Sequence, residues 1–353
     1  MLQESHKKIF YLFQRIGIDF FEWDPISYKN LAIRSAAMRK FQSIIVRNER
    51  QFRAFTGLPQ KEFDRLLPDF TRCLEAIQKQ RYQKHRVQRK RQPGGGRKGA
   101  LSTPELKLFF ILFYLKTYPT FDVLGGLFNL SPGKAEENVM KLLPILKQTE
   151  KCLQVLPHRH FKPVGNDEQT TEKIQKIIID ATERPCCRPH HARKQKHYYS
   201  GKKRYHTLKN TVIGDVNKGI SVIGPTAPGS RHDYALLKEE LDPHQPGLSS
   251  VEAYVDLGFQ GIKDRYPTFH EIHIPHKKPR KSKKNPNPTL TPRQKKENRA
   301  ISRVRVAVEH LIGDLKSFQI LTIKFQNRVK NMADQVILLV AGLCNLKNDY
   351  VVQ

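Results

Sequence analysis

Three isoleucines in a row, Ile177, Ile178 and Ile179, are followed at once by Asp180. β-Branched side chains are stiff at χ1 and favour extended backbone, and a short apolar run of this kind fits a buried strand. Such a strand needs neighbours, and the sequence supplies them. β-Rich runs occur at Ile174 to Asp180, His206 to Val216, Ile220 to Pro225 and Ala253 to Asp256. Helical periodicity follows from Ala300 through Phe318, with Val304, Val308, Leu311 and Leu315 on one stripe, and again from Asn331 through Asn345. Residues 165–350 are therefore expected to form an α/β domain, and residues 276–299, rich in Pro, Asn and Lys, an exposed basic loop inserted in it.

The preceding part reads as helical. Glu49 to Cys73 carries apolar residues at helical intervals, interrupted by Gly57 and Pro59, which predicts two short helices. Residues 79–99 combine a charge run with three consecutive glycines and read as a flexible basic linker. Ser102 and Thr103 can cap, Pro104 suits a first turn, and a strongly apolar helix follows. Phe121 to Phe128, the turn Asn129 to Gly133 and Lys134 to Leu146 then give helix, short turn, helix. An ordinary helical hairpin has this pattern, and so does a DNA-reading helix-turn-helix, placed here at about 119–146 within a helical domain spanning 48–150. Residues 1–47 form an N-terminal extension with no clear pattern.

Charge narrows the partners. The chain has 63 Lys+Arg against 33 Asp+Glu, a formal +30, so its field attracts polyanions, nucleic acid first. With 38% hydrophobic residues it still has enough for a core, which argues against general disorder. Five irregularly spaced cysteines make no disulfide framework and fit a reducing interior. The first residues lack a signal-peptide pattern, and the apolar run Val336 to Cys344 is too short to span a bilayer. The expectation is an intracellular, DNA-associated protein with no membrane contact. GGGRKG lacks the spacing of a Walker loop, so no nucleotide cofactor is expected.

Three carboxylates stand out. Asp180 and Asp256 each follow an apolar strand, where α/β sheets build sites, and Gly258 and Gly261 allow sharp turns after the second. Glu309 sits among valines and leucines of the late helix. Singly, each has a plain alternative: turn caps for the aspartates, and an i,i+4 ion pair with Arg305 for Glu309. Together they offer the hard oxygen donors preferred by Mg²⁺ or Mn²⁺. Two such ions would serve an in-line phosphoryl displacement.

The blocks IIIDATERPCCRP, YYSGKKRYHTLKN, APGSRHDYALL, AYVDLGFQG and RVRVAVEHLIGDLKSF occur in this order. Over roughly residues 50–345 the chain resembles the Harbinger and bacterial insertion-sequence group of DDE transposases. The resemblance implies an RNase H-like catalytic domain, a mixed central sheet flanked by helices, preceded by an all-α helix-turn-helix domain. It implies Asp180, Asp256 and Glu309 as catalytic metal-binding acids, with Asp233 of GSRHD as a fourth ligand. Asp233 can equally cap the helix that follows it. The implied activity is metal-dependent cleavage of transposon ends and strand transfer into target DNA. The implied partners are terminal inverted repeats, target DNA and further copies of the chain assembled on DNA. A domesticated or inactive DNA-binding protein, or a structure-selective endonuclease, would share the same blocks.

Lys202, Lys203, Arg204, His206 and Lys209 lie between the first two acidic blocks. They read either as a clamp on the DNA backbone or as a solvated basic edge strand. Cys186, Cys187, His190 and His191 lack the gaps that let zinc ligands converge. Trp23, Tyr198 and Tyr199 read as packing residues.

Overall fold

A computed structural model describes residues 39–41, 44–84, 99–161, 174–216, 219–283, 285–329 and 331–352. Most of the 1–47 extension, Trp23 included, and most of the 79–99 linker lie outside the described residues.

Two short strands, β1 (Arg39–Phe41) and β2 (Ile44–Val46), pair antiparallel. Ile44 and Val46 are buried against the helices that follow. Helix α1 (Glu49–Thr56) starts where the Asn48 side chain accepts the Gln51 N–H at 2.9 Å and ends at Gly57, whose φ of 79° is a left-handed cap. The second helix, α2, is not short: it runs from Gln60 to Lys84. Its last six residues belong to the expected linker, and their Lys, Arg and Gln content sustains a helix as readily as a coil.

Helix α3 (Pro104–Thr117) opens on the Thr103 cap and is buried on every side from Leu108 to Leu115. Helix α4 (Phe121–Phe128) stops at Asn129, left-handed at φ 53°, and Ser131 caps α5 (Pro132–Cys152). This is a helix-turn-helix with a tight turn. A Cβ on Gly125 would come within 2.5 Å of the Leu130 carbonyl oxygen, so glycine is what lets the turn fold back on α4. Phe128 fixes the pair to α3, edge-on to Phe110 with ring centroids 4.9 Å apart.

The second half is built on a mixed sheet. Strand β3 (Gln175–Pro185) is followed by helix α6 (Ala192–Tyr198), β4 (Tyr199–Ser200), β5 (Tyr205–Asp215), β6 (Ile220–Ile223) and β7 (Ala227–Pro228). Then come α7 (Asp233–Glu240), β8 (Val251–Tyr254), α8 (Ile262–Arg265), β9 (Glu271–His273), α9 (Pro292–Lys316) and α10 (Met332–Lys347). The order across the sheet is β6, β5, β3, β8, β9. β5 runs antiparallel to both β3 and β6, whereas β8 is parallel to β3 and to β9. Ile177, Ile178 and Ile179 are wholly buried at its centre. Ile177 and Ile179 face a cluster with Tyr234 and Leu237 of α7, while Ile178 and Tyr254 face Ile301 and Val308 of α9. The sheet is thus the middle of three layers.

Helix α9 corrects the expected loop. Thr291 accepts the Gln294 N–H and Gln294 returns the bond to the Thr291 N–H, a reciprocal cap that starts the helix at Pro292. Residues 292–299 are therefore helical, and only the part before them stays irregular.

The two halves share one apolar core. Leu338, Leu339 and Leu343 of α10 and Ile220 and Ile223 of β6 join the cluster that contains α1 to α5. Asn345, fully buried on α10, donates to the carbonyls of Val155 and Ile220 and accepts the Ile220 N–H, at 2.8 to 2.9 Å. Among the described residues no helix is long and apolar enough to cross a membrane.

Candidate active site

Parallel β8 ends at Tyr254, opposite Ile178 of β3, and two residues further along each chain stand Asp180 and Asp256. Side chains alternate along strands, so Asp180 shares the α9 face with Ile178. Asp180 is not at its own strand's end, as expected, because antiparallel β5 carries β3 on to Pro185. It lies where the parallel neighbour stops and the sheet opens.

Each aspartate is oriented locally. One Asp180 oxygen accepts the Ala181 N–H at 2.7 Å, and one Asp256 oxygen accepts the Leu257 N–H at 2.6 Å, capping a short turn. The Asp180 side chain is 23% exposed and that of Asp256 50%. Burial raises the Asp180 carboxyl above its ordinary value; the Ala181 N–H and Arg305 act against that rise, while the charges of Asp256 and Asp233 add to it. The three aspartates therefore share one electrostatic neighbourhood.

Arg305 is the residue that touches both principal acids. From α9 its guanidinium places one nitrogen 3.6 Å from Asp180 and another 3.6 Å from Asp256. The alternative Arg305–Glu309 pair is absent among the described residues, since Arg305 is turned toward the sheet rather than along the helix. Glu309, one turn further on, is exposed and has no hydrogen-bond or ion-pair partner among the described residues. Asp180, Asp256 and Glu309 are not drawn into a ligand cluster; the grouping of ligand atoms within 4.8 Å among the described residues is Glu252, Glu271 and His273. Those three sit lower on the sheet, where Lys176 pairs with Glu252 at 3.2 Å. The Cys186, Cys187, His190 and His191 segment forms no such group among the described residues.

Asp233 is not a cap. His232 occupies that position and Asp233 begins α7. Its carboxylate instead lies 2.7 Å from the Lys209 ammonium, which also reaches Glu183 at 3.2 Å and donates to the Arg231 carbonyl at 2.8 Å. Lys209 is 7% exposed, so its charge is spent inside the fold and not on a surface phosphate. Lys202, Lys203 and Arg204 are exposed in the turn between β4 and β5, and His206 is half-buried at the start of β5. Burial holds the Lys316 ammonium below its ordinary value; Lys202 and Lys203 repel it and Asp180 and Glu183 attract it, so the basic turn and these acids both act on this one lysine. Tyr198 packs on the apolar core, whereas Tyr199, expected to pack, is exposed with its ring edge-on to His206.

The sequence pattern had singled out neither Arg305 as a partner of the aspartates nor Lys316. A local i,i+4 rule hid the first, and nothing in its own segment marks the second.

Two carboxylates reached by one arginine, in a chain that also carries an exposed basic turn and a helix-turn-helix, fit a protein that acts on a nucleic acid. Residues 179–345 match the model of the DDE superfamily endonuclease domain, and residues 99–151 that of the helix-turn-helix of DDE superfamily endonucleases. The chain is 30% identical over 245 residues to a probable transposase for insertion sequence element IS702 from Microchaete diplosiphon, covering 68% of this chain and 79% of that protein. No solved structure matches the chain. The chain belongs to the DDE superfamily of endonucleases and carries that family's helix-turn-helix module ahead of its endonuclease domain.

Proposed function

We propose that the chain is a DNA transposase that cuts transposon ends and joins them to target DNA with the help of divalent metal. The observation that carries this is the approach of Asp180 and Asp256, each two residues beyond the last β3–β8 pair and each 3.6 Å from the one Arg305 guanidinium, in a domain that also exposes the Lys202–Arg204 turn. The strand order β6, β5, β3, β8, β9, with two antiparallel and two parallel neighbours, supports an RNase H-like sheet. On the same reading the chain divides into the extension 1–47, the helical domain 48–150 and the catalytic domain 165–350.

Asp180 and Asp256 fit a Mg²⁺ or Mn²⁺ ion, because both offer carboxylate oxygens and Asp180 keeps one oxygen clear of any hydrogen bond. Glu309, exposed and without a partner among the described residues, on the helix that packs over that face of the sheet, is the candidate third acid. Asp233 would add a fourth ligand through the oxygen that does not face Lys209. When bound, divalent metal supplies Lewis-acid stabilisation of the attacking and leaving oxygens of an in-line displacement, and two ions suit that role. The exposed cations of the β4–β5 turn hold the DNA backbone beside the acids. The α4–α5 pair reads the terminal repeat, and two ends held together imply an assembly of more than one copy.

The test is nicking of a plasmid carrying the DNA that flanks the gene, in Mg²⁺ or Mn²⁺. Asp180→Ala, Asp256→Ala and Glu309→Ala should each abolish nicking while a gel shift persists. Full cleavage by Asp256→Ala would overturn the assignment. The second reading is a DNA-binding protein without chemistry, and what favours it is the arginine lodged against both aspartates. A gel shift with no cutting in either metal by the unaltered chain would select it.

A further inference from the structure

We propose that Arg305 is a resident counter-ion that reserves the acid pair: its guanidinium holds Asp180 and Asp256 when no metal is bound, and a divalent ion must displace it. The inference rests on the reading of these acids as the metal site.

The geometry differs from an ordinary arginine–carboxylate pair. A stabilising pair usually presents two parallel N–H groups to one carboxylate at hydrogen-bond distance. Here the two terminal nitrogens face different carboxylates, each at 3.6 Å, beyond the 2.7–3.2 Å range of an N–H···O bond. Arg305 is attracted to both acids and locked to neither. Its side chain is only 15% exposed, and its Nε is sealed from water with no hydrogen-bond partner among the described residues. A buried donor left unsatisfied is a cost, so the arginine is held by the charge of the aspartates and not by the fit of its own site.

A guanidinium and a divalent ion cannot both sit between the same two carboxylates. Magnesium takes oxygens at about 2.0–2.1 Å, much closer than the guanidinium stands. The like charges would also repel in a partly dehydrated pocket. Arg305 thus performs two tasks with opposite signs for metal affinity. It keeps two carboxylates together that would otherwise repel, and it competes for the place they define.

The test is calorimetric titration of Mn²⁺ into the full chain, with wild type, Arg305→Met, Arg305→Gln, Arg305→Lys and the Asp180→Asn/Asp256→Asn double variant. Arg305→Met and Arg305→Gln should bind Mn²⁺ at least ten-fold more tightly than wild type, Arg305→Lys should fall between, and the double variant should lose the site. Without metal, Arg305→Met should melt below wild type, and saturating Mn²⁺ should close the gap. Unchanged or weaker Mn²⁺ affinity in both Arg305→Met and Arg305→Gln, with the site lost in the double variant, overturns the role of Arg305 and leaves the metal site standing. A lower melting point without tighter binding is that same outcome, a merely structural ion pair. Wild-type binding by the double variant would overturn both this inference and the metal reading beneath it.

Discussion

Lys209 lies in the same basic stretch as Lys202, Lys203 and Arg204, yet it should behave unlike them when replaced. Lys209→Met keeps the length and apolar stem of the side chain and removes the ammonium that bridges Asp233 and Glu183. Breaking a buried ion pair from one side costs about 3–5 kcal/mol, chiefly because the remaining charge is stranded. The two partners contribute unequally. Asp233 is 32% exposed, so water relieves most of its loss. Glu183 is 9% exposed and keeps a Thr207 hydroxyl donor at 3.1 Å. Burial pushes its carboxyl up, but Ser200, Lys209 and Thr207 outweigh that and hold it below the ordinary range. A destabilisation of roughly 2–4 kcal/mol follows, measurable by urea unfolding. Adding Glu183→Gln should return more than half of it, because the stranded charge goes with it. DNA affinity and its dependence on salt should stay at wild-type values in Lys209→Met, whereas removing Lys202, Lys203 and Arg204 together should flatten the salt dependence. A loss below 1 kcal/mol, or a salt slope changed by Lys209→Met alone, would refute this account of where the ammonium goes.

Glu240 should impose a pH dependence on stability. Burial raises its carboxyl to about 7 from 4.5, so the folded chain holds that proton more tightly than the unfolded chain. Its contribution is therefore greatest below about pH 4.5 and is lost as pH rises toward 7, by at most about 3 kcal/mol. The difference between wild type and Glu240→Gln across pH 4.5 to 8 isolates it, and a constant difference would count against it. Gly125→Ala should destabilise the α4–α5 turn and weaken DNA binding in a gel shift, since the methyl would press on the Leu130 carbonyl; wild-type melting would show that the turn can yield. Asn345→Ala strands two carbonyls and one N–H, at about 1–3 kcal/mol each before relaxation. Its unfolding midpoint in urea should fall markedly, and an unchanged midpoint would mean that water replaces the amide.

Much of the fold was readable because its punctuation is local. Thr103–Pro104 is a cap followed by proline in the first turn, and the helix begins there; Ser131–Pro132 is a second such start, which the turn-like run Asn129 to Gly133 disguised, so the helix begins at Pro132 and not at the expected Lys134. The isoleucine run marks the sheet centre because nothing polar interrupts it. Thr291-Pro292-Arg293-Gln294 carries the same kind of start signal, but the surrounding lysines and prolines masked it. The site was half legible. Asp180 and Asp256 each follow an apolar run, a pattern visible along the chain, although β3 continues past Asp180 to Pro185. The partners of Lys209 and Arg305 come from distant segments, through strand register and the approach of α9. Neighbour rules such as i,i+4 carry no information about such pairings.

The apolar core that runs from α1–α5 through α10 to β6 has a practical consequence. Helix α10 closes the endonuclease half in sequence, yet its buried surface is clad on one side by the helices that precede the sheet. A fragment trimmed to residue 174 onward would bare Leu338, Leu339 and Leu343 and leave the Asn345 amide without the Val155 carbonyl. Such a fragment should aggregate. It also means that the α4–α5 pair and the sheet that carries Asp180 and Asp256 are joined through one packed core and not through a free linker, as a vice and a blade are bolted to one bench.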